Sequence, residues 1–502
     1  MKKREKEEKR EKTQKREEIQ KVTFNIDKEK DFSKWFSEIV EKAELADLRY
    51  NVKGFVVFRP WAVLAMEKMY DLLEQDLQNK NHQPAWFPAL IPEKNFRLEA
   101  EHIKGFTPQV FWVTNAANKK LKEKLAMRPT SETAMYQLYS IWIRSYKDLP
   151  FKMYQRAQVW RYETKATRPF IRSREFYWIE GHNCFATKEE AESQVFEDVD
   201  TTKNLMYNKL CIPFLPLRRP AWDKFPGAVY SIGSDTLMPD GKVIQQPSTH
   251  FLGQGFAKVF EIIFKGRDGK EKYVWQTCYG PAISRIFASV IAIHGDNSGL
   301  VLPFCIAPIQ LIIVPIYSNK NKKEIFKKCQ EIEKKLKEQD IRIKFDSRNF
   351  SPGEKYYFWE MKGIPFRIEI GEKEIRTKKL TFFKRVIKEK IQVNEEKILN
   401  EVIKEGKEFD DRLKKKADFW LKKQIVECKN KEELKKAFQD KKIGRCGFCS
   451  IDKEGEKCAE VIEKRFLASI RGTMYNKKEK VQGKCVICGK PAKYMVYIAK
   501  SY

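Results

Sequence analysis

Residues 151–186 read FKMYQRAQVWRYE, then TKATRPFIRS, then REFYWIEGHNCFA. The outer runs are rich in aromatic and β-branched residues and predict two strands. The middle run predicts a basic loop joining them. A third run, KEKYVWQTCYG at 270–280, leads into PAISRIFASVIAIHG at 281–295, which reads as a helix. Upstream, WAVLAMEKMYDLLEQDL at 61–77 carries Trp61, Leu64, Ala65, Met69, Leu72, Leu73 and Leu77 at helical spacing. AWFPALIP at 85–92 reads as a short, proline-bearing strand at an edge or an interface. Strands in runs with helices before and after them predict an α+β domain built on a mostly antiparallel sheet.

Further along, the pattern changes. IQLIIVPIY at 309–317 predicts a buried strand, KKEIFKKCQEIEKKLKEQD at 322–340 an amphipathic basic helix, and IRIKFD and PFRIEIG two further strands. That order predicts a small α/β unit. The uncharged stretch NSGLVLPFCIAPIQLIIVPIYS at 297–318 is about as long as a membrane span. Pro303, Pro308 and Pro315 would break a single helix there, so a loop entering a buried strand is expected and no membrane association.

The 502 residues carry 99 Lys+Arg against 69 Asp+Glu, a formal charge of +30. Such a surplus fits a polyanionic partner, nucleic acid before acidic membrane. With 42% hydrophobic residues the chain is not disordered throughout. A mixed Lys/Glu run fills residues 1–30 and reads as a solvated or RNA-binding arm, with no apolar segment of a signal peptide behind it. Six of the eleven cysteines are scattered, which points to a reducing compartment and a cytoplasmic location. The other five cluster as Cys446-x2-Cys449, Cys458 and Cys485-x2-Cys488. Four of these five would hold a structural Zn²⁺, because four sulfurs leave no open coordination position.

Candidate chemistry gathers around the first hairpin. Arg161 and Glu163 alternate with apolar neighbours and are expected on one strand face, beside Trp178 and Glu180 of the next strand. Such a face is too polar for a core, and its arginine suits a phosphate on which charge develops. Arg168, Arg172 and Arg174 add cations on the loop. In RPTSET at 128–133, Thr130, Ser131 and Glu132 open a helix, either as a capping box or with Glu132 free to meet a cationic amine. Arg285 stands where the last helix begins. No GxxxxGK[ST] loop, no strand-linked GxGxxG and no HExxH occurs, so a bound nucleotide would have to be held by arginines on a sheet.

In this order, KAELAD, RPTSETAMY, PFIRSREFYWIEGH, HGDNSGLVLP, SPGEKYYFWEMKGIP and CGKPAKY resemble the class II aminoacyl-tRNA synthetases, and specifically the prolyl-tRNA synthetases of the archaeal and eukaryotic type. The resemblance implies proline–tRNA ligase activity, with proline, ATP with Mg²⁺ and tRNA(Pro) as substrates, in a homodimer. It implies Thr130, Glu132, Arg161, Trp178, Glu180 and His250 for proline. For ATP it implies Arg161, Glu163, Arg172, Ser173, Gln245, Ser248 and Arg285, with Arg161 and Arg285 catalytic. Lys355, Glu360 and Glu369 would meet the anticodon, and the carboxylate of Tyr502 would point back to the active site. The implied order is a charged arm over 1–30, a catalytic domain over 31–302, an anticodon-binding α/β domain over 309–410 and a zinc-binding α/β domain over 411–502. Within the cysteines, Cys458, Cys485 and Cys488 fit the family's spacing, with Cys446 or Cys449 as the fourth. The sequence departs from the family at QPSTH (246–250) and at Ala282.

Overall fold

Phe151–Trp160 and Glu175–Phe185 pair antiparallel along their full facing length, from Phe151↔Cys184 to Trp160↔Glu175. Around this hairpin the computed structural model describes residues 24–96, 109–475 and 477–502. Most of the charged arm expected over 1–30 therefore lies outside the described residues. The contacts divide the chain into two compact units: residues up to Leu45 with Gly295–Lys407, and Ala46–His294 with Glu408–Tyr502.

The second of these units is built on an 11-stranded sheet. From the hairpin it runs through Trp275–Gly280, Lys242–Gly253, Tyr230–Leu237 and Leu215–Arg218, each pairing antiparallel with the next. The sheet does not stop there. Ser469–Met474 pairs with Leu215–Arg218 through Thr473↔Arg218, and the last strand, Tyr494–Ser501, also runs parallel to the start of Lys242–Gly253. The C-terminal residues thus extend this large sheet and cover what would otherwise be a short open edge. Gly472 makes this approach possible, since a Cβ there would lie 2.1 Å from the Arg218 carbonyl oxygen. The helix Ile283–His294 is buried except at Arg285 and Ile293, so its one guanidinium stands out from an apolar rod. Pro60 opens the long helix Pro60–Asn79 at a position where no amide donor is needed.

The other unit holds a 5-stranded sheet in the order Ile343–Phe345, Leu311–Pro315, Phe366–Ile370, Lys379–Lys384, Glu389–Asn394. The first three strands are parallel and the last two antiparallel. Leu311–Pro315 is buried throughout, as the apolar run after Pro308 predicts. The helix Phe32–Lys42 belongs here, not with the catalytic segment in which the sequence-based boundary 31–302 puts it. Trp35 donates to the Asp296 carbonyl at 3.1 Å and Lys362 to the Ala43 carbonyl at 2.8 Å. Among the described residues no helix is long and apolar enough to cross a membrane.

Candidate active site

Alternation and register build a polar cleft on one face of the large sheet. Trp178, Glu180 and His182 occupy every second position of their strand. Across it, His250↔Cys278 and Cys278↔His182 are direct partners, so three side chains from three strands line up on that face. The cavity above them measures about 310 Å³. Thr130, Glu132, Arg161, Trp178, Glu180, Gln245, Ser248, His250 and Arg285, all singled out from the sequence, line it together.

Its floor is anionic and closely hydrogen-bonded. Ser131 does not cap its helix with its side chain, and both its hydroxyl and its backbone N–H donate to Glu180. Thr130 donates to Glu132 at 2.5 Å, and Glu132 is 2% exposed. Burial alone would raise the Glu180 pKa, but His182, Ser131 and Arg128 together hold it below the usual carboxylate value. His182 reaches Glu180 at 3.3 Å and Tyr136 at 3.0 Å. Burial presses its pKa down, yet the Glu180 hydrogen bond and the charges of Glu132 and Glu180 carry it above the ordinary histidine value. His182 and Cys278 were not read from the sequence. The period of two through Trp178 and Glu180 points to His182, whereas Cys278 needs the register.

The opposite wall is cationic. Arg161 lies over the rings of Phe176 and Trp178 at 5.2 and 5.4 Å, and its Nε donates to the Pro129 carbonyl at 3.0 Å. Arg285 lies 5.8 Å from the same Phe176 ring and donates to the Ile171 carbonyl at 3.1 Å. Burial, followed by the like charges of Arg161 and Arg172, pushes the Arg285 pKa down to about 10. Anionic ligand atoms here would relieve that repulsion. Arg161 and Glu163 are not on a strand face as expected. The strand ends at Trp160, because Tyr162 turns its N–H to the Gln109 carbonyl and leaves the hairpin ladder. Glu163 pairs with Arg172 at 3.2 Å, and Ser173 donates to the Glu175 carbonyl at 2.6 Å; none of these three lines the main cavity.

On the third side, the His250 ring packs 4.8 Å from Phe225 and bonds Ser231 at 2.7 Å and Ser248 at 3.1 Å. Burial, then the charges of Arg219 and His182, lower its pKa to about 3, so this imidazole is neutral. Trp178 Nε1 is buried with no hydrogen-bond partner among the described residues. Ala282 also borders the cavity and bridges to Trp178. Arg219, unread in the sequence, is a further lining residue. A smaller cavity of about 170 Å³ adjoins through Gln245 and Arg285 and is bordered by Arg172, Arg471 and Tyr502. Tyr502 is seated by its N–H on the Val243 carbonyl at 3.3 Å.

Away from the cavity, the Sγ atoms of Cys449, Cys458, Cys485 and Cys488 lie within 4.8 Å of one another. Four soft thiol donors in that arrangement fit a zinc ion. Cys446 is outside the group: it is fully buried and sits opposite Cys428 on the neighbouring strand. The open choice between Cys446 and Cys449 thereby falls to Cys449. In the other unit, Lys355 donates to the Asp346 carbonyl at 3.0 Å, while Glu360 and Glu369 both pair with Arg367.

Comparison with known proteins gives three family matches in chain order. A tRNA synthetase class II core domain (G, H, P, S and T) matches residues 111–294, an anticodon binding domain 310–405, and a prolyl-tRNA synthetase C-terminal domain 431–502. A proline–tRNA ligase of Thermofilum pendens is 47% identical over 480 residues, covering 95% of this chain and 98% of that one. One from Pyrococcus abyssi is 42% identical, covering 94% and 98%. Giardia lamblia prolyl-tRNA synthetase, solved in complex with prolyl-adenylate, superposes with a TM-score of 0.92 at 36% identity, covering 96% of this chain and 100% of that one. The Cryptosporidium parvum enzyme, solved with halofuginone and AMPPNP, gives 0.89 at 31% identity, covering 95% and 99%.

Proposed function

The chain belongs to the class II prolyl-tRNA synthetases, and from that premise we propose how its cavity divides the work of the reaction. It is an aminoacyl-tRNA ligase: it activates L-proline with ATP to prolyl-adenylate and transfers the prolyl group to the 3′ end of tRNA(Pro). A carboxylate oxygen of proline attacks the α-phosphorus in line, and the bond to the departing pyrophosphate breaks as the new P–O bond forms. A terminal hydroxyl of tRNA then attacks the prolyl carbonyl and releases AMP.

One observation carries the division of roles: a single cleft has the carboxylates of Glu132 and Glu180 on its floor and the guanidiniums of Arg161 and Arg285 on its wall. The floor receives the imino group of proline. Glu132 and Thr130 accept hydrogen bonds from its N–H groups, Glu180 adds negative potential, and Trp178 and the neutral His250 enclose the ring. Arg161 meets the proline carboxylate and the α-phosphate, where charge builds in the transition state. Arg285 takes the γ-phosphate and Gln245 and Ser248 the nucleoside side. Glu163, held by Arg172, is positioned for adenine, with Arg172 and Ser173 on the loop that meets ATP and the acceptor end. Mg²⁺ accompanying ATP neutralises part of the phosphate charge.

The remaining assignments follow the same premise. Lys355, Glu360 and Glu369 would read the anticodon, the two glutamates from their ion pairs with Arg367 and Lys355 from its hydrogen bond to the Asp346 carbonyl. Trp86, Leu90, Trp112, Ile141 and Trp142 expose apolar surface in the catalytic unit, which supports pairing with a second copy. A cytoplasmic location would follow from the scattered cysteines of the sequence. Cys449, Cys458, Cys485 and Cys488 would hold Zn²⁺, which supplies a structural cross-link. Metal analysis is expected to find the ion retained in Cys446→Ser and lost in Cys458→Ser.

The test of the cleft is proline-dependent ATP–pyrophosphate exchange. Arg161→Ala is expected to lower it by about 10²–10³-fold or more with folding intact, the loss seen when one preorganised charge partner is removed. Exchange at near wild-type rate would remove Arg161 from its role.

A further inference from the structure

Arg219 lines the cavity, and none of the roles above uses it. It directly follows the strand Leu215–Arg218 and is 5% exposed. Its Nη1 and Nη2 both donate to Asp235, at 3.0 and 2.5 Å. Nη1 also reaches the Arg471 backbone carbonyl at 2.6 Å, and Nη2 the Gln245 side-chain oxygen at 3.3 Å. Arg471 grips the same carboxylate from the C-terminal strand Ser469–Met474, with Nε at 2.6 Å and Nη2 at 3.2 Å from its two oxygens. The guanidinium of Arg219 lies on bare backbone at Gly233, where a Cβ would sit 2.1 Å from Nη2. An arginine can only donate, so Gln245 must turn its Oε1 to Arg219, which directs its amide hydrogens elsewhere.

We propose that Arg471 is a positioning residue of proline activation: through the shared Asp235 carboxylate it seats Arg219 over Gly233, and Arg219 orients Gln245 toward the nucleotide. The inference rests on the nucleotide placement given above. The physical logic is competition for one carboxylate. With Arg471 gone, both oxygens of Asp235 fall to Arg219, and the guanidinium is drawn onto them. Its longest bond, the one to Gln245, is the first to be lost. The C-terminal segment would thereby act on nucleotide binding through a side chain, and not merely by covering a sheet edge. Because the Arg471 carbonyl belongs to the backbone, a side-chain substitution leaves that support for Arg219 in place.

The experiment measures exchange kinetics of the full chain against ATP and proline separately, with melting temperature as a control. Arg471→Met and Gly233→Ala, which displaces Arg219 from the other side without changing a residue of the C-terminal strand, are each expected to raise KM for ATP about tenfold, the scale of one lost hydrogen bond. KM for proline and kcat should change less than about twofold, and Arg471→Lys should recover part of the loss. Gln245→Ala is the reference. If it raises KM for ATP while Arg471→Met and Gly233→Ala do not, the clamp is wrong. If Gln245→Ala leaves KM for ATP unchanged, the nucleotide placement fails and takes this inference with it. Losses in Arg471→Met that merely follow a lowered melting temperature, with Gly233→Ala like wild type, would reduce Arg471 to a structural role and overturn the proposal.

Discussion

Arg219 and Arg471 share a buried carboxylate, whereas Arg161 and Arg285 bond backbone carbonyls through Nε and face a cavity. Both groups border the same cleft region: Arg219 lines the main cavity with Arg161 and Arg285, and Arg471 lines the smaller one beside it. In the first, Asp235 is 1% exposed at its side chain, and the two guanidiniums hold its pKa low against the pull of burial. Both carboxylate oxygens accept from both guanidiniums. In the second, burial and then the like charges of Arg161 and Arg172 depress the Arg285 pKa. The difference teaches how a basic chain separates arginines that build from arginines that bind. A buried guanidinium paired directly with a carboxylate is complete, and one whose hydrogen bond goes to a backbone carbonyl, with carboxylates near but not paired to it, retains capacity for an anion.

That contrast can be broken by stability measurements. Asp235→Asn is expected to lower the unfolding free energy by about 3–5 kcal/mol in urea titrations, because it leaves two buried cations facing each other. Arg285→Ala should change it by no more than about 1 kcal/mol, since losing one hydrogen bond is offset by relief of repulsion. If Arg285→Ala were the more damaging of the two, the distinction between closed and open clusters would fall.

A smaller effect sharpens the same rule at the back of the sheet. Asp198 is buried, with the Thr249 hydroxyl and the Gln194 amide as its side-chain hydrogen-bond partners among the described residues, at 2.6 and 2.8 Å. Burial raises its pKa to about 7. In the unfolded chain it titrates near 3.8. Between those values the folded state keeps a proton that the unfolded state releases, so this group costs stability as pH rises toward 7. Asp198→Asn is expected to raise the melting temperature at pH 8, by an amount that shrinks as the pH falls through 7 toward 4. A difference independent of pH would contradict the assignment.

Much of the site is legible along the chain. Trp178 and Glu180 announce a polar strand face by alternation, RPTSET marks a helix start with a carboxylate to offer, and Arg285 is the one charge in an apolar helix. Local pattern is enough there because side-chain direction follows backbone period. Cys278 and Arg219 were not legible. Cys278 becomes part of the site through its partners His250 and His182, and Arg219 through contacts with Asp235 and Arg471, distant in sequence. The exit of Arg161 and Glu163 from the strand was equally hidden, since it depends on Tyr162 finding Gln109.

By itself, then, the order of residues determined the α+β class, the two sheets, the ligand types and the family, because period, composition and motif spacing are local quantities. Only the tertiary structure decided that the C-terminal strands continue the catalytic sheet, that Cys449 and not Cys446 joins the thiol cluster, and that the helix Phe32–Lys42 leaves the catalytic unit. Those outcomes rest on which strand edges and buried groups find partners across hundreds of residues, and a one-dimensional pattern carries no record of that pairing.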